Sequence, residues 1–280
     1  MTPAFDDVSI DEVRRFWDLR PCNIRHSPAP VGSRRYFDEV EARKYAVEPH
    51  IPGFAEFSRW AGRRVLEIGC GLGTDTINFA RAGAEVTAVD ISPRSLALAR
   101  RRAEVFELAS RVRFVEADAE RLAEFLEPQQ YDLVYSFGAI HHSPRPDKIL
   151  EQVRRHFIAP DGVLKVMVYH RWSWKVLGIL LREARGAFWR LDREVAKHSE
   201  AQTGCPVTFV YSRAAGARLL REAGFSVTDV RVEHIFPYRV DAYVQYRYEK
   251  AMPFRILPKR VMRWLECRLG WHLCLTARPV

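Results

Sequence analysis

What this chain lacks narrows the field first. Its five cysteines, Cys22, Cys70, Cys205, Cys267 and Cys274, are odd in number and share no C-x-x-C spacing. That speaks against a disulfide framework and a zinc site, so reduced thiols and no metal are expected. No apolar run approaches the roughly 20 residues of a membrane span. The start, M-T-P-A-F-D-D-V, is acidic and has no apolar core of the signal-peptide kind, so a cytoplasmic location is the default. Also missing is any basic stripe interleaved with stacking aromatics. The formal charge of +9 and pI near 9.5 would suit a polyanion. Yet the arginines alternate with acids, as in R-E-A-R and R-L-D-R-E, which argues against a nucleic-acid partner.

What is present is ordinary globular material: 280 residues, 48% hydrophobic, 28% charged and 12% aromatic. It is enough for one large domain with insertions and too little for two generous ones. The organising stretch runs from Arg63 to Asp90. Val65 to Ile68 is a short apolar run of the buried parallel-strand type. Gly69, Gly71 and Gly73 follow at every second position. Thr74 to Ala82 has helical spacing, with Ile77 and Ala80 on one face and Gly83 as a stop signal. Glu85 to Val89 is a second strand ending in Asp90. Together these make a βαβ unit of the nucleotide-binding type. A Cβ in the turn would hold the backbone off a ligand, and an acid at the strand tip can accept both hydroxyls of a ribose.

A dinucleotide fingerprint would read G-x-G-x-x-G. Here the third glycine comes one residue early and Glu67 precedes the first. The pattern E-x-G-x-G-x-G resembles the first motif of the class I S-adenosylmethionine-dependent methyltransferases, in the small-molecule branch of the ubiquinone and menaquinone type. The resemblance implies a cationic, phosphate-free cofactor, S-adenosyl-L-methionine, with S-adenosyl-L-homocysteine as product. It would lie along Gly69, Cys70, Gly71 and Gly73, its ribose on Asp90, with Glu67 polarising the loop and Ile91 against the adenine. A third strand, Val112 to Glu116, leads to Asp118 and Ala119. In related enzymes an Asp here accepts the adenine amino hydrogens; the alternative is an acid that caps the next helix. Phe137, closing a fourth strand from Tyr131, joins the cofactor set.

Ligands of open α/β sheets bind beyond the carboxyl ends of the strands, so G-A-I-H-H-S-P after Phe137 borders the substrate. The I-H-H run is similar to small-molecule and quinone-type methyltransferases and departs from the N-P-P-Y pattern of enzymes that methylate base amino groups. A turn at Asp161 and Gly162 and a fifth strand over Val163 to Val168 lead to Y-H-R-W-S-W-K, which adds Tyr169, His170 and Trp172. A base is needed only if the acceptor's proton has a high pKa. His141, His142 and His170 are the candidates, near neutrality if unperturbed, or else structural hydrogen-bonders.

Residues 1 to 62 carry too many aromatic and apolar anchors to leave in water and are expected to form a lid. Within them, Asn23, Arg25 and His26 lie in a long loop, as substrate contacts or as surface groups capping helices. Arg43, beside Lys44 in a helix expected over Tyr36 to Tyr45, is favoured for the carboxylate of the cofactor's methionyl tail; a solvated helix face explains it equally. Residues 63 to 280 form the methyltransferase domain, with insertions at about 170–211 and 237–270. Helices over Lys148 to Phe157 and Ser212 to Gly224, a strand over Phe225 to Val232 and a last antiparallel strand in G-W-H-L-C-L-T-A-R complete the expected architecture. It is an α/β, Rossmann-like seven-stranded, mostly parallel sheet with helices on both faces.

Two segments remain. The run H-S-E-A-Q-T-G-C-P is expected to cover the site. Between residues 250 and 268, Lys250, Arg255, Lys259, Arg260, Arg263 and Arg268 oppose the single acid Glu266, with Phe254, Leu257, Trp264 and Leu265 among them. This is either a peripheral membrane contact serving a lipid or quinone acceptor, or a helix packed on the sheet with a solvated basic face. The expected function is in-line methyl transfer to a small-molecule acceptor. The alternative is another alkyl transfer or a cyclisation on the same fold. The acceptor atom and the oligomeric state stay open.

Overall fold

The computed structural model describes residues 5–182, 191–198, 204–252 and 254–280. Three helices come first: α1 (Ile10–Leu19), α2 (Arg34–Val47) and the short α3 (Ile51–Ala55). The first two begin at serines whose hydroxyls accept a backbone N–H three residues on, Ser9 from Glu12 and Ser33 from Tyr36. Each satisfies a donor that the helix itself leaves open.

The expected βαβ unit follows as β1 (Arg64–Ile68), α4 (Thr74–Arg81) and β2 (Glu85–Asp90). Next come α5 (Pro93–Val105), β3 (Val112–Glu116), β4 (Tyr131–Phe137), α6 (Pro146–Gln152) and β5 (Ile158–His170). The chain continues with α7 (Trp174–Arg182), α8 (Leu191–His198), β6 (Val210–Tyr211), α9 (Arg213–Glu222) and β7 (Phe225–Glu233), and closes with α10 (Val240–Tyr243), α11 (Lys259–Leu269) and β8 (His272–Pro279). The strands form one sheet in the order β3-β2-β1-β4-β5-β8-β7, with β6 paired to β5 off this path. Among the described strands only β8 runs antiparallel to its neighbours. The order reverses between β1 and β4, and the crevice beyond their carboxyl ends is the switch point where such sheets take ligands.

Neighbouring residues of β1 fall on opposite faces, as the strand period requires. Leu66 and Ile68 join one apolar layer with Val134, Val166, Leu220 and Leu275, while Val65 joins the other with Val86, Leu133, Tyr135 and Met167. The N-terminal residues belong to both layers, Phe5 and Val13 to the first and Phe54 and Trp60 to the second. They are part of the same hydrophobic core, not a tail laid over it.

Several expectations need correction. Among the described residues the sheet has eight strands rather than seven, because the short β6 pairs Val210 and Tyr211 with Tyr169 and His170. The turn expected at Asp161–Gly162 lies inside β5, where the register slips between the pairs Tyr131–Ile158 and Leu133–Val163. The extra residues are absorbed as a bulge, so the strand starts earlier than its apolar run. The helix expected to reach Phe157 widens after α6 into a π-turn over Val153–Phe157. The insertion expected at about 237–270 holds, among the described residues, two separate helices, α10 and α11, and Tyr238 before α10 is bridged to Lys250 after it. In the run expected to cover the site, residues 199–203 lie outside the described residues. Among the described residues no helix is long and apolar enough to cross a membrane.

Candidate active site

The turn between β1 and α4 is shaped by glycines for two different reasons. A Cβ on Gly69 would stand 2.1 Å from the Cβ of Ala139, so that glycine lets the first turn touch the loop after β4. Gly71, at φ +54°, has no heavy atom within 4 Å of where its Cβ would be, so its backbone borders open space. The N–H groups of Gly69 and Cys70 both donate to Val89 O, at 2.8 and 3.0 Å, and that of Gly71 donates to Asp90 Oδ2 at 2.8 Å. Asp90 Oδ1 accepts from the Ser92 N–H at 2.9 Å. The strand-end acid therefore braces the turn. Burial pushes the Asp90 pKa up, against the pull of its backbone donors. A carboxylate offers about four lone-pair sites, so acceptor capacity for ligand hydroxyls remains.

Beneath the turn lies a buried polar network that centres on a residue the sequence reading passed over. Asp75, near the start of α4, accepts from Lys44 Nζ at 2.7 Å and from the hydroxyls of Tyr45 and Tyr135, both at 2.9 Å. An acid in the first turn of the helix after a glycine loop was the available signal. Beside it the Thr76 hydroxyl donates to Glu67 at 2.5 Å. Burial, with the charge of Asp75 adding to it, pushes the Glu67 carboxyl up to about 8. Lys44 is opposed by burial, but Asp75 outweighs that and raises its pKa overall.

Arg43 is a correction. Its guanidinium donates to Tyr243 O at 2.6 Å and lies over the rings of Tyr243 and Tyr246, 3.9 and 4.6 Å from their centroids. It ties α2 to the chain around α10, while the neighbouring Lys44 is the cation that reaches Asp75 in the first turn of α4. The substrate candidates of the first loop gather at the same junction. His26 Nε2 is 3.5 Å from the Tyr243 hydroxyl, and the Tyr246 hydroxyl donates to Arg25 O at 3.0 Å. Asn23 turns this loop at φ +65°, and its carbonyl accepts the His26 N–H at 2.9 Å. Arg25 itself is exposed.

Helix α1 spans the crevice. At one side Asp18 accepts from the Ser92 hydroxyl at 3.0 Å and the Arg94 N–H at 2.9 Å, capping α5. At the other, the ring of Trp17 lies 5.1 Å from that of His142. Helix α1 thus joins the start of α5, just past the Asp90 tip, to the loop after β4. On the third strand's end, Asp118 accepts from the Glu120 N–H at 2.9 Å, as a capping acid does, with Ala119 packed beside the core.

The three histidines expected near neutrality are not alike. His142 Nδ1 sits 2.8 Å from Val207 O, and His170 Nδ1 3.1 Å from Gly270 O, so both rings serve as structural donors. His141 is fully buried, and neither ring nitrogen has a hydrogen-bond partner among the described residues. Burial, then His142, holds its pKa well below the usual range, which corrects the expectation of neutrality. Its ring lies 4.1 Å from that of Tyr169, which stacks 4.0 Å from Trp271. Trp172, by contrast, is 54% exposed and forms no part of this cluster.

A second group was not foreseen. Phe137 is bordered by His50 and His272, with ring centroids 5.9 and 5.5 Å away, and His234 and Glu48 adjoin them. Apart from Glu48 and His50, these residues are far apart in sequence. A surface groove of about 750 Å³ lies elsewhere, among Arg145, Arg154, Phe209 and Leu219. The site is therefore identified by its chemistry and its place at the switch point rather than by volume.

A family model described as a methyltransferase domain matches residues 65–162. An uncharacterised protein of Synechococcus is 31% identical over 134 residues, 45% of this chain and 31% of that one. The ubiquinone biosynthesis O-methyltransferase of Psychrobacter cryohalolentis is 32% identical over 111 residues, 40% of this chain and 42% of its own length. The match thus spans less than half of these curated relatives. Among solved structures, magnesium protoporphyrin IX methyltransferase from Synechocystis PCC 6803 with bound SAH superposes with a TM-score of 0.59 at 16% identity, covering 97% of this chain and 100% of that one. The [4+2]-cyclase SpnF superposes at 0.56 and 19% identity, covering 95% and 94%. At these identities the likeness is one of fold.

Proposed function

Since this chain has the class I S-adenosylmethionine-dependent methyltransferase fold, we propose that it transfers the methyl group of S-adenosyl-L-methionine to a small-molecule acceptor. The observation that carries the reading is the pairing of Gly71 and Asp90 at the switch point. The Gly71 backbone fronts open space, its N–H is fixed on Asp90, and the acid has acceptor capacity beyond its two backbone donors.

These residues fit the cofactor. Gly69, Cys70, Gly71 and Gly73 would carry its aminoacyl side, Asp90 its ribose hydroxyls, and Ile91, Asp118 and Ala119 its base, with Phe137 at the reacting end. When bound, S-adenosylmethionine supplies a methyl group already activated by its sulfonium leaving group. What remains for the protein is alignment and the exclusion of water. Helix α1 serves exclusion by bridging from Asp18 on α5 to Trp17 on His142. His141 is the group suited to accept a hydrogen bond from the acceptor; its lowered pKa makes it a weak base, so its part is to orient the acceptor rather than to carry its proton away. It is held neutral, and its two ring nitrogens are uncommitted. His142 and His170 hold the loops that place it.

The ubiquinone-pathway relatives favour a hydroxylated aromatic acceptor, and the unforeseen ring cluster around Phe137 suits one. Peripheral contact with an anionic lipid surface belongs to the same reading. Arg263 is bonded to Glu233, but Lys259, Arg260 and Arg268 are exposed beside Ile256, Val261 and Trp264, which are 70%, 40% and 54% exposed. Incubation with the cofactor and a panel of phenols and quinols tests the main claim. Release of S-adenosylhomocysteine with a methylated product is expected. Methylthioadenosine instead would point to another alkyl transfer. Conversion of an acceptor without consumption of cofactor would point to a cyclase such as its fold neighbour SpnF, and cofactor binding without any conversion would sink the enzyme reading.

A further inference from the structure

We propose that Glu48, His234 and His272 form a binding site for one divalent transition-metal ion at the carboxyl edge of the sheet. The three come from separate elements. Glu48 caps the end of α2, His234 follows β7, and His272 opens β8 opposite Tyr169 of β5. Their ligating atoms all lie within 4.8 Å of one another. Nitrogen and oxygen ligands about 2.0–2.2 Å from a zinc-class ion stand roughly 3 to 4 Å apart, so small side-chain adjustments bring the three onto one centre.

The surroundings orient the donors. His272 Nδ1 is 3.0 Å from His50 Nε2, so one ring nitrogen of His272 is committed to His50. The other, Nε2, faces Glu48 Oε1 at 3.5 Å, a separation that suits two ligands of one ion. Fixing the far nitrogen of a ligand histidine is how outer groups select tautomer and direction in metal sites. The rings of His50, His234 and His272 lie 4.7 to 5.8 Å from one another, and both ligand histidines are buried.

The donor set decides the kind of ion. Two imidazoles and a carboxylate suit zinc, cobalt, nickel or iron(II), whereas calcium and magnesium favour sites built of oxygen. Three protein ligands leave a position open for an exogenous one. The His272 ring is 5.5 Å from that of Phe137, so the ion borders the crevice. An ionisable oxygen of a bound acceptor is the chemistry that the open position takes. That last clause rests on the methyltransferase reading; the metal site itself does not.

The test uses the full chain, stripped with a chelator and dialysed. Zinc(II) is titrated in competition with a chromophoric chelator, and cobalt(II) binding is followed by its visible absorption. The wild type is expected to take up one equivalent of zinc and to give cobalt bands more intense than those of the hydrated ion. Glu48→Gln and His234→Gln are expected to weaken zinc binding by about tenfold or more, with His156→Gln, outside the cluster, unchanged. Glu48→Gln keeps size and shape and is checked by its melting temperature. Should both variants fail to fold, the stoichiometry and cobalt spectrum of the wild type decide alone. Absence of stoichiometric uptake by the wild type, or undiminished affinity in folded Glu48→Gln, overturns the site. Calorimetry of S-adenosylmethionine on the same samples keeps a failure here separate from a failure of the methyltransferase reading.

Discussion

Asp90 carries two tasks that substitution can separate. Its oxygens brace the turn through Gly71 and Ser92, and in the proposed complex they also receive the ribose hydroxyls. Asp90→Ala removes charge-assisted hydrogen bonds of both kinds. It should weaken S-adenosylmethionine binding by more than about tenfold, as measured by calorimetry. Unchanged affinity would remove the ribose assignment. Glu67 is a case of the opposite sort, a carboxyl that burial keeps protonated. Its pKa of about 8 in the fold exceeds that of an unfolded glutamate, near 4.5. The folded chain therefore binds more protons across that window, and the group's contribution to stability is lost as pH rises through it. Glu67→Gln, which has no proton to lose, should gain stability relative to the parent as pH climbs from about 5 to 8. The expected gain is at most about 1.4 kcal/mol per unit. Urea melts of the pair at several pH values would show it; parallel curves would mean that Glu67 is ionised in the fold.

At the scale of elements, what could be read from the sequence was what is local. The unit β1-α4-β2 depends on apolar runs, glycines and a terminal acid within 28 residues, and each falls where its pattern puts it. Choices between neighbours were not legible. Arg43 and Lys44 sit about 100° apart on α2, so helix geometry sends one to the α10 tyrosines and the other to Asp75, and only packing decides which. The early start of β5 was hidden because a bulge carries polar residues inside a strand. The cluster of Glu48, His50, His234 and His272 was invisible for a plainer reason: three segments distant in sequence converge on it. Helix α11 shows how much a pattern leaves open. Its amphipathic spacing fits either a sheet-packed or a lipid-facing helix, and the structure gives it both an anchor, Arg263 on Glu233, and an exposed apolar edge. Flotation with anionic vesicles should therefore decrease when Lys259, Arg260 and Arg268 are replaced by Gln, with Arg263 left to hold the helix. Equal flotation of parent and variant, or none in the parent, would assign the helix to packing alone.

For the whole molecule the buried histidines set the response to acid. Burial lowers the pKa of His26 and His234 to about 3 and that of His50 to about 4, and it holds His141, His170 and His272 below the usual range as well. In the unfolded chain each returns to about 6.5. Between about pH 6.5 and 4 the unfolded state thus binds more protons than the folded one, so stability rises with pH through that window and is lost as pH falls. Glu67 works in the other direction over part of the same range, but it is one proton against several. The slope of unfolding free energy against pH near 5.5 should therefore correspond to the uptake of more than about two protons, each worth roughly 1.4 kcal/mol per pH unit. Few carboxylates change charge this far above their own pKa values, so the steep limb belongs to the imidazoles. A protein whose candidate site is built from neutral rings should keep its fold at pH 7 and lose it cooperatively in mild acid. Denaturant titrations at closely spaced pH values measure this directly. A slope of less than one proton near pH 5.5 would mean that these rings are protonated in the folded chain and that the buried rings of His141, His234 and His272 are open to water.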